Sequence, residues 1–349
     1  MIRSPKFPSR IRDVLLLSAV LAAPACARVP AADATHVRPS DPSPSWATET
    51  GIIVREELDR SVVEHGLDAS YAVVLDVPSG RILALEGRRA GGTPGPAPDG
   101  TALVTGSTLK TFTMAVGLEE RAIDPAEKVD CRTRAYPDGR VLRDPADRGI
   151  ISFADGLAVS SNVCTSRVLD RVGVGALRES FGRMHLTDPP APATTFTDSD
   201  AYASAMYAGG EVLATTPLAV AAGYAAIVRG GEFVRPTAIG TPPAPSERVL
   251  RRATTDTLLE LLGHVVESPV GTGGRARVPG IRVVGKTGTA ELDDRRTYAS
   301  FVGAAWFGTR PVVVLVGMEV RGGDLTGGTG PAPAFARIVS RMRVHAPTS

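Results

Sequence analysis

Lysine is nearly absent from this chain. Of 39 basic residues only four are lysine, at positions 6, 110, 128 and 286, and the rest are arginine. Arginine does not release its proton in a protein, so proton transfer through a long basic side chain is confined to those four positions. Histidine is sparse too, and His36, His65, His185, His264 and His345 fall in no triad or metal-ligand spacing. Cysteine occurs only at positions 26, 131 and 164, which excludes a multi-cysteine metal centre, and no residue pattern calls for a metal or a cofactor. The formal net charge of +2 gives no polyelectrolyte surface for a nucleic-acid partner. Long apolar runs are missing as well, since the N-terminal one, 14–25, falls short of the ~20 residues that cross a bilayer.

That short run is what an export signal has. Arg3, Lys6, Arg10 and Arg12 precede it and small residues follow around Cys26, so residues 1–27 read as a signal peptide. Two processing routes fit: cleavage after Ala25-Cys26-Ala27, or cleavage before Cys26 with a lipid on its thiol, as in a lipoprotein signal. Residues 28–50, rich in Pro, Ala, Ser and Asp, read as a flexible linker. Residues 51–349 can bury a sizeable core as one large domain or two lobes. In an exported chain Cys131 and Cys164 can pair, although the sequence leaves that pairing open.

Two of the four lysines sit in short motifs, Ser107-Thr108-Leu109-Lys110 and Gly285-Lys286-Thr287-Gly288-Thr289-Ala290, with Ser160-Ser161-Asn162 between them. Ser-x-x-Lys, then Ser-x-Asn, then Lys-Thr-Gly is the order found in enzymes that attack an amide with an active-site serine. Taken singly, Ser107 is an ordinary N-cap, 160–162 a polar turn between helices, and Lys286 a solvated cation. Their order and spacing favour one shared site.

A serine hydroxyl is a poor nucleophile until a base takes its proton, so Ser107 is the candidate nucleophile and Lys110, one helical turn on, its base. Burial and the charge of Lys286 are both expected to lower the Lys110 pKa. Ser160 can relay the proton to the leaving amine, while Asn162 can hold a substrate amide and the Lys110 side chain. Lys286, Thr287 and Thr289 offer a cation and two hydroxyls to a substrate carboxylate, and Gly288 permits close approach.

Periodicity places these motifs on elements. Helices are predicted over 52–65, 107–120, 152–159, 163–172, 177–184, 217–228, 255–267 and 334–344. Strands are predicted over 71–77 and 81–85, joined by Pro78-Ser79-Gly80, and over 282–292, 298–307 and 312–320. Strands thus come from the two ends of the chain and helices from its middle. The fold class that follows is α+β: an antiparallel sheet of about five strands, flanked by helices, with a mostly helical lobe inserted and the motifs where the lobes meet.

Further stretches carry a family resemblance. Thr105-Gly106-Ser107-Thr108-Leu109-Lys110-Thr111-Phe112, Ser160-Ser161-Asn162-Val163, Thr216-Pro217-Leu218, Tyr224-Ala225-Ala226-Ile227, 285–290 and Ala299-Ser300-Phe301-Val302-Gly303 resemble the transpeptidase domain of class B penicillin-binding proteins, over roughly 68–343. The resemblance implies the β-lactamase/transpeptidase-like fold and a D,D-transpeptidase acting through a Ser107 acyl-enzyme on D-Ala-D-Ala stem peptides of peptidoglycan. β-Lactam antibiotics mimic that dipeptide and are expected to acylate Ser107. The same resemblance implies an oxyanion site at the Ser107 and Thr289 backbone N–H groups, cell-wall synthesis proteins as partners, and the periplasm or outer membrane face as the location. The chain departs from the family in having Thr105 where a Pro is common, a short stretch between the second and third motifs, and a signal and linker in place of a pedestal and anchor. Hydrolysis of the acyl-enzyme would instead make a D,D-carboxypeptidase or a β-lactamase. The Glu-x-x-Leu-Asn stretch of class A β-lactamases is absent, and Asn162 stands where class D enzymes have Val. A non-catalytic β-lactam or muropeptide sensor, or a scaffold, is the reading of another class.

Overall fold

Both ends of the chain feed one sheet. The structure, a computed structural model, describes residues 41–96, 98–187, 196–242, 244–293 and 295–346. The signal and most of the expected linker lie outside the described residues. Five antiparallel strands make the main sheet: β1 (Ala69–Asp76), β2 (Arg81–Arg89), β3 (Val283–Asp293), β4 (Arg296–Phe307) and β5 (Arg310–Arg321), in the order β3-β4-β5-β1-β2. Strand β1 is buried at every position, because helices cover both faces. Ala72 and Val74 point to a core shared with the helices Pro44–His65 (α1) and Pro331–Met342, while Val73 and Leu75 point to the core of the inserted lobe. A strand buried on both faces reads as a continuous apolar run, as 71–75 does.

The inserted lobe supplies the other helices: Lys110–Glu119 (α2), Phe153–Ala158 (α3), Asn162–Arg183 (α4), Ala201–Gly209 (α5), Pro217–Val228 (α6) and Arg252–Glu267 (α7). Their starts follow from capping: the hydroxyls of Ser152, Ser161 and Thr216 and the carboxylate of Asp200 accept backbone N–H groups at the first turns of α3, α4, α6 and α5. The last helix, Pro331–Met342 (α8), packs back on the sheet.

Four differences from the sequence reading have physical causes. The linker ends earlier than residue 50, because Ser43 caps a helix that starts at Pro44 and buries Trp46. The helices expected over 163–172 and 177–184 form one run bent at Gly173, whose φ of 77° is accessible to glycine. Helix α5 was not anticipated; its sequence is mostly small residues without a clear apolar stripe. Strand β2 continues to Arg89, four residues past the expected end at 85. Cys131 and Cys164 are joined by a disulfide across 33 residues of sequence. Closing a loop of that length stabilises by about 3–4 kcal/mol on the chain-entropy account, and the bond ties the start of α4 to the segment that precedes it.

Candidate active site

Ser107 is half-buried in a 3₁₀ turn, Gly106–Leu109, that runs directly into α2. The turn is fixed from three sides. Gly106 N–H donates to Gly210 O at 3.0 Å, Tyr224 Oη on α6 donates to Thr108 O at 3.0 Å, and Thr111 Oγ1 meets that hydroxyl at 2.6 Å. On the fourth side lies β3, an edge strand of the sheet. Gly106 has φ +57°, and a Cβ there would sit 2.7 Å from Thr289 O, so only glycine lets the backbone beside Ser107 lie against Thr289. Gly288 makes the same allowance, since a Cβ would meet Ser300 Oγ at 2.6 Å and Thr105 O at 3.0 Å.

Ser160 is where the motifs converge. It occupies the left-handed region at φ +60°, a conformation that costs a non-glycine residue roughly 1–3 kcal/mol and persists only when its surroundings enforce it. That conformation presents two groups of one residue to two lysines. Lys110 Nζ donates to Ser160 O at 2.6 Å, and Lys286 Nζ donates to Ser160 Oγ at 2.7 Å. Lys286 also donates to Thr287 O at 3.0 Å. Both lysines are fully buried.

Burial lowers the Lys110 pKa to about 8, with the carboxylates of Glu211 and Asp144 pushing back. Burial and then the charge of Lys110 push Lys286 well below the usual lysine value. Desolvation therefore lowers Lys110 as the sequence leads one to expect, and the two buried ammonium groups disfavour one another, which is seen in the lowering of Lys286.

Asn162 opens α4 and turns its side chain toward α5. Its Oδ1 is buried without a hydrogen-bond partner, and a methyl on Gly209 would lie 3.5 Å from it and 3.9 Å from Lys110 Cε. The Lys110 ammonium itself is held by the Ser160 carbonyl. Thr287 Oγ1 pairs with Thr272 Oγ1 at 2.7 Å, and Thr289 Oγ1 accepts Gly327 N–H at 3.2 Å. The structure thus brings Lys110, Ser160, Asn162 and Lys286 into one knot, with Ser107 one turn from Lys110 and the backbone of Thr289 against the Ser107 turn. From Asn162 and Thr289 a cleft of about 650 Å³ leads outward past Glu211, Glu291, Thr297 and Asp324.

Sequence reasoning missed Asp144. Its Oδ1 accepts Asn162 N–H at 2.6 Å and its Oδ2 accepts the Ser161 hydroxyl at 2.5 Å, so a carboxylate from a distant loop holds the second motif through one backbone and one side-chain donor. A lone aspartate among turn residues gives no sequence signal of such a partner. Asp144→Ala leaves both donors unsatisfied and is expected to cost about 1–3 kcal/mol in thermal unfolding. The same change should slow Ser107 acylation about tenfold, the cost of roughly 1.4 kcal/mol at the barrier, read from the rate of penicillin labelling.

Comparison with known proteins gives the arrangement a setting. Residues 70–340 match the penicillin binding protein transpeptidase domain. The chain is 30% identical over 333 residues to the probable peptidoglycan D,D-transpeptidase FtsI of Caulobacter vibrioides, covering 83% of this chain and 56% of that protein. It is 27% identical over 316 residues to the peptidoglycan D,D-transpeptidase FtsI of Escherichia coli, covering 82% of this chain and 53% of the other. This chain therefore spans about half the length of the curated relatives it matches. In fold it superposes on the apo transpeptidase domain of Burkholderia pseudomallei penicillin-binding protein 3 with a TM-score of 0.74, at 24% identity, over 85% of this chain and 94% of that one.

Proposed function

The chain belongs to the penicillin-binding protein transpeptidase domain family, and from that premise we propose that it is a serine D,D-transpeptidase of peptidoglycan cross-linking. The observation that carries the reading is the pair of buried lysines on the two sides of Ser160, one turn from Ser107. In the proposed cycle neutral Lys110 takes the Ser107 proton as Oγ attacks the penultimate carbonyl of a D-Ala-D-Ala stem. The oxyanion that forms is met by the backbone N–H groups of Ser107 and Thr289, and one such donor is worth about 3 kcal/mol in other serine hydrolases. Ser160, held by Lys286, passes a proton to the departing amine, and Asn162 holds the substrate amide. Lys286, Thr287 and Thr289 receive the terminal carboxylate. An amine from a second stem then takes the acyl group.

Peptidoglycan stems are the substrates in this reading, β-lactams the inhibitors, and other cell-wall synthesis proteins the partners. Its location is the outer side of the cell membrane, reached by the signal over 1–27, which is either cleaved after Ala27 or cleaved before Cys26 with a lipid on that thiol. Among the described residues no helix is long and apolar enough to cross a membrane. The test is the lifetime of the acyl-enzyme. Wild-type protein labelled with fluorescent penicillin and chased with unlabelled drug should keep its label for hours. Loss within seconds would make the protein a β-lactamase. No label on folded protein would leave a sensor or scaffold.

A further inference from the structure

We propose that Glu211 selects the acyl acceptor: its carboxylate binds the ammonium group of an incoming primary amine and takes a proton from it before the amine attacks the Ser107 acyl-enzyme. The inference rests on the transpeptidase reading and adds to it a residue outside the three motifs.

Glu211 stands two residues past α5, in the turn whose Gly210 carbonyl holds the Ser107 turn. Its place is fixed around Gly209. A methyl group on Gly209 would lie 3.5 Å from Asn162 Oδ1, 3.9 Å from Lys110 Cε and 4.0 Å from Glu211 Cγ. The Glu211 side chain therefore borders the same point as the base and the second motif. It is half-buried, and its carboxylate makes neither a hydrogen bond nor an ion pair among the described residues.

A second unpaired acceptor lies beside it. Asn162 Oδ1 is buried without a donor and lines the same cleft. That cleft, about 650 Å³, continues past Glu291 and Asp324, and no basic residue is among those lining it. Two vacant acceptors and a negative field suit a ligand that is cationic and rich in N–H donors. The donor stem ends in a carboxylate, which this field repels and for which Lys286 is the proposed cation. The second substrate of a transpeptidase is an amine, protonated at neutral pH because its pKa is near 10.4.

The proton balance closes. Glu211-COO⁻ takes one proton from the ammonium, R-NH₃⁺, leaving R-NH₂ and Glu211-COOH. The amine lone pair attacks the acyl carbonyl, the new C–N bond forms as the C–Oγ bond of Ser107 breaks, and the second amine proton passes through Lys110 to Ser107 Oγ. Glu211 then returns its proton to solvent. Burial raises the Glu211 pKa, which improves it as a base; the charged groups facing it are Lys110, which opposes the rise, and Glu291, which adds to it.

The test uses the full-length protein, an acyl-D-alanyl thioester as donor and a D-amino acid as acceptor, and measures amine product against hydrolysis product. Glu211→Gln should lower the amine-to-water product ratio on the order of a hundredfold, the range of one general base. Glu211→Asp should recover part of the loss, and the rise of aminolysis with pH that follows carboxylate titration should vanish in the Gln protein. Penicillin labelling separates the two readings. A wild-type protein that takes no label overturns the transpeptidase assignment and this inference with it. A labelled wild type that forms only hydrolysis product overturns both, leaving a D,D-carboxypeptidase, whereas an unchanged product ratio in Glu211→Gln, with amine product formed by the wild type, overturns the inference alone. Equal loss of labelling and of aminolysis in Glu211→Gln would make it a support of Lys110 and would also overturn the proposal.

Discussion

Ser107→Ala protein is expected to form no covalent adduct with penicillin after hours of incubation, while wild type takes up one equivalent by intact-mass measurement. Removing the nucleophile of a serine hydrolase lowers turnover on the order of a million-fold, so the remaining signal is non-covalent binding. The fold should survive the change. The Ser107 turn is held through backbone groups, by Gly106 N–H on Gly210 O, Thr105 N–H on Leu213 O and Tyr224 Oη on Thr108 O, and the Ser107 hydroxyl is none of these. Stability should therefore stay within about 0.5–1 kcal/mol of wild type in thermal unfolding. An adduct of equal yield on the alanine protein would place the nucleophile elsewhere and remove Ser107 from the mechanism.

The parts of this site that chemistry restricts to one residue type were legible in the sequence. Of lysine and arginine only lysine combines charge with a removable proton, and in a chain that otherwise uses arginine Lys110 and Lys286 stand out. The sheet was legible too, because 71–75, 298–307 and 312–320 are apolar runs bounded by turn residues, and they became β1, β4 and β5. What stayed hidden depends on tertiary contact. Asp144 and Glu211 are isolated carboxylates in loops, and nothing in their neighbours along the chain shows that one clamps Asn162 and the other borders Lys110. Helix α5 had signals that could have found it: Asp200 caps its start and Gly210, at φ +91°, ends it. The start of α1 was also written in the chain, as Ser43-Pro44, but the polar composition of 28–50 outweighed two residues.

Lys110→Arg tests whether that buried lysine acts by losing its proton or only by its charge. Arginine keeps charge and hydrogen-bond donors but cannot become neutral, so penicillin acylation of Ser107 should fall on the order of 10²–10⁴-fold, the contribution of a general base. A thermal melt separates this from misfolding caused by the larger side chain, and Lys110→Gln, which is shorter and uncharged, should be similarly slow. In wild type the acylation rate should rise with pH through about 8, where Lys110 titrates. About a tenth of the lysine is neutral at pH 7 and about nine-tenths at pH 9, which predicts a gain of about tenfold between them. Stability should follow the same direction. The Lys110 pKa is lower in the folded protein than the ordinary 10.5, so the unfolded chain binds more protons between about pH 8 and 10.5, and stability rises across that window. Below about pH 8 the lysine is charged in both states and the fold bears the full cost of burying it, on the order of 3 kcal/mol relative to a lysine left in water. A residue that costs the fold stability at neutral pH is thus the one whose readiness to lose a proton activates Ser107. If Lys110→Arg is labelled at the wild-type rate with the same pH profile, the base is another group, and Lys286, also lowered by burial and bonded to Ser160 Oγ, becomes the residue to replace next.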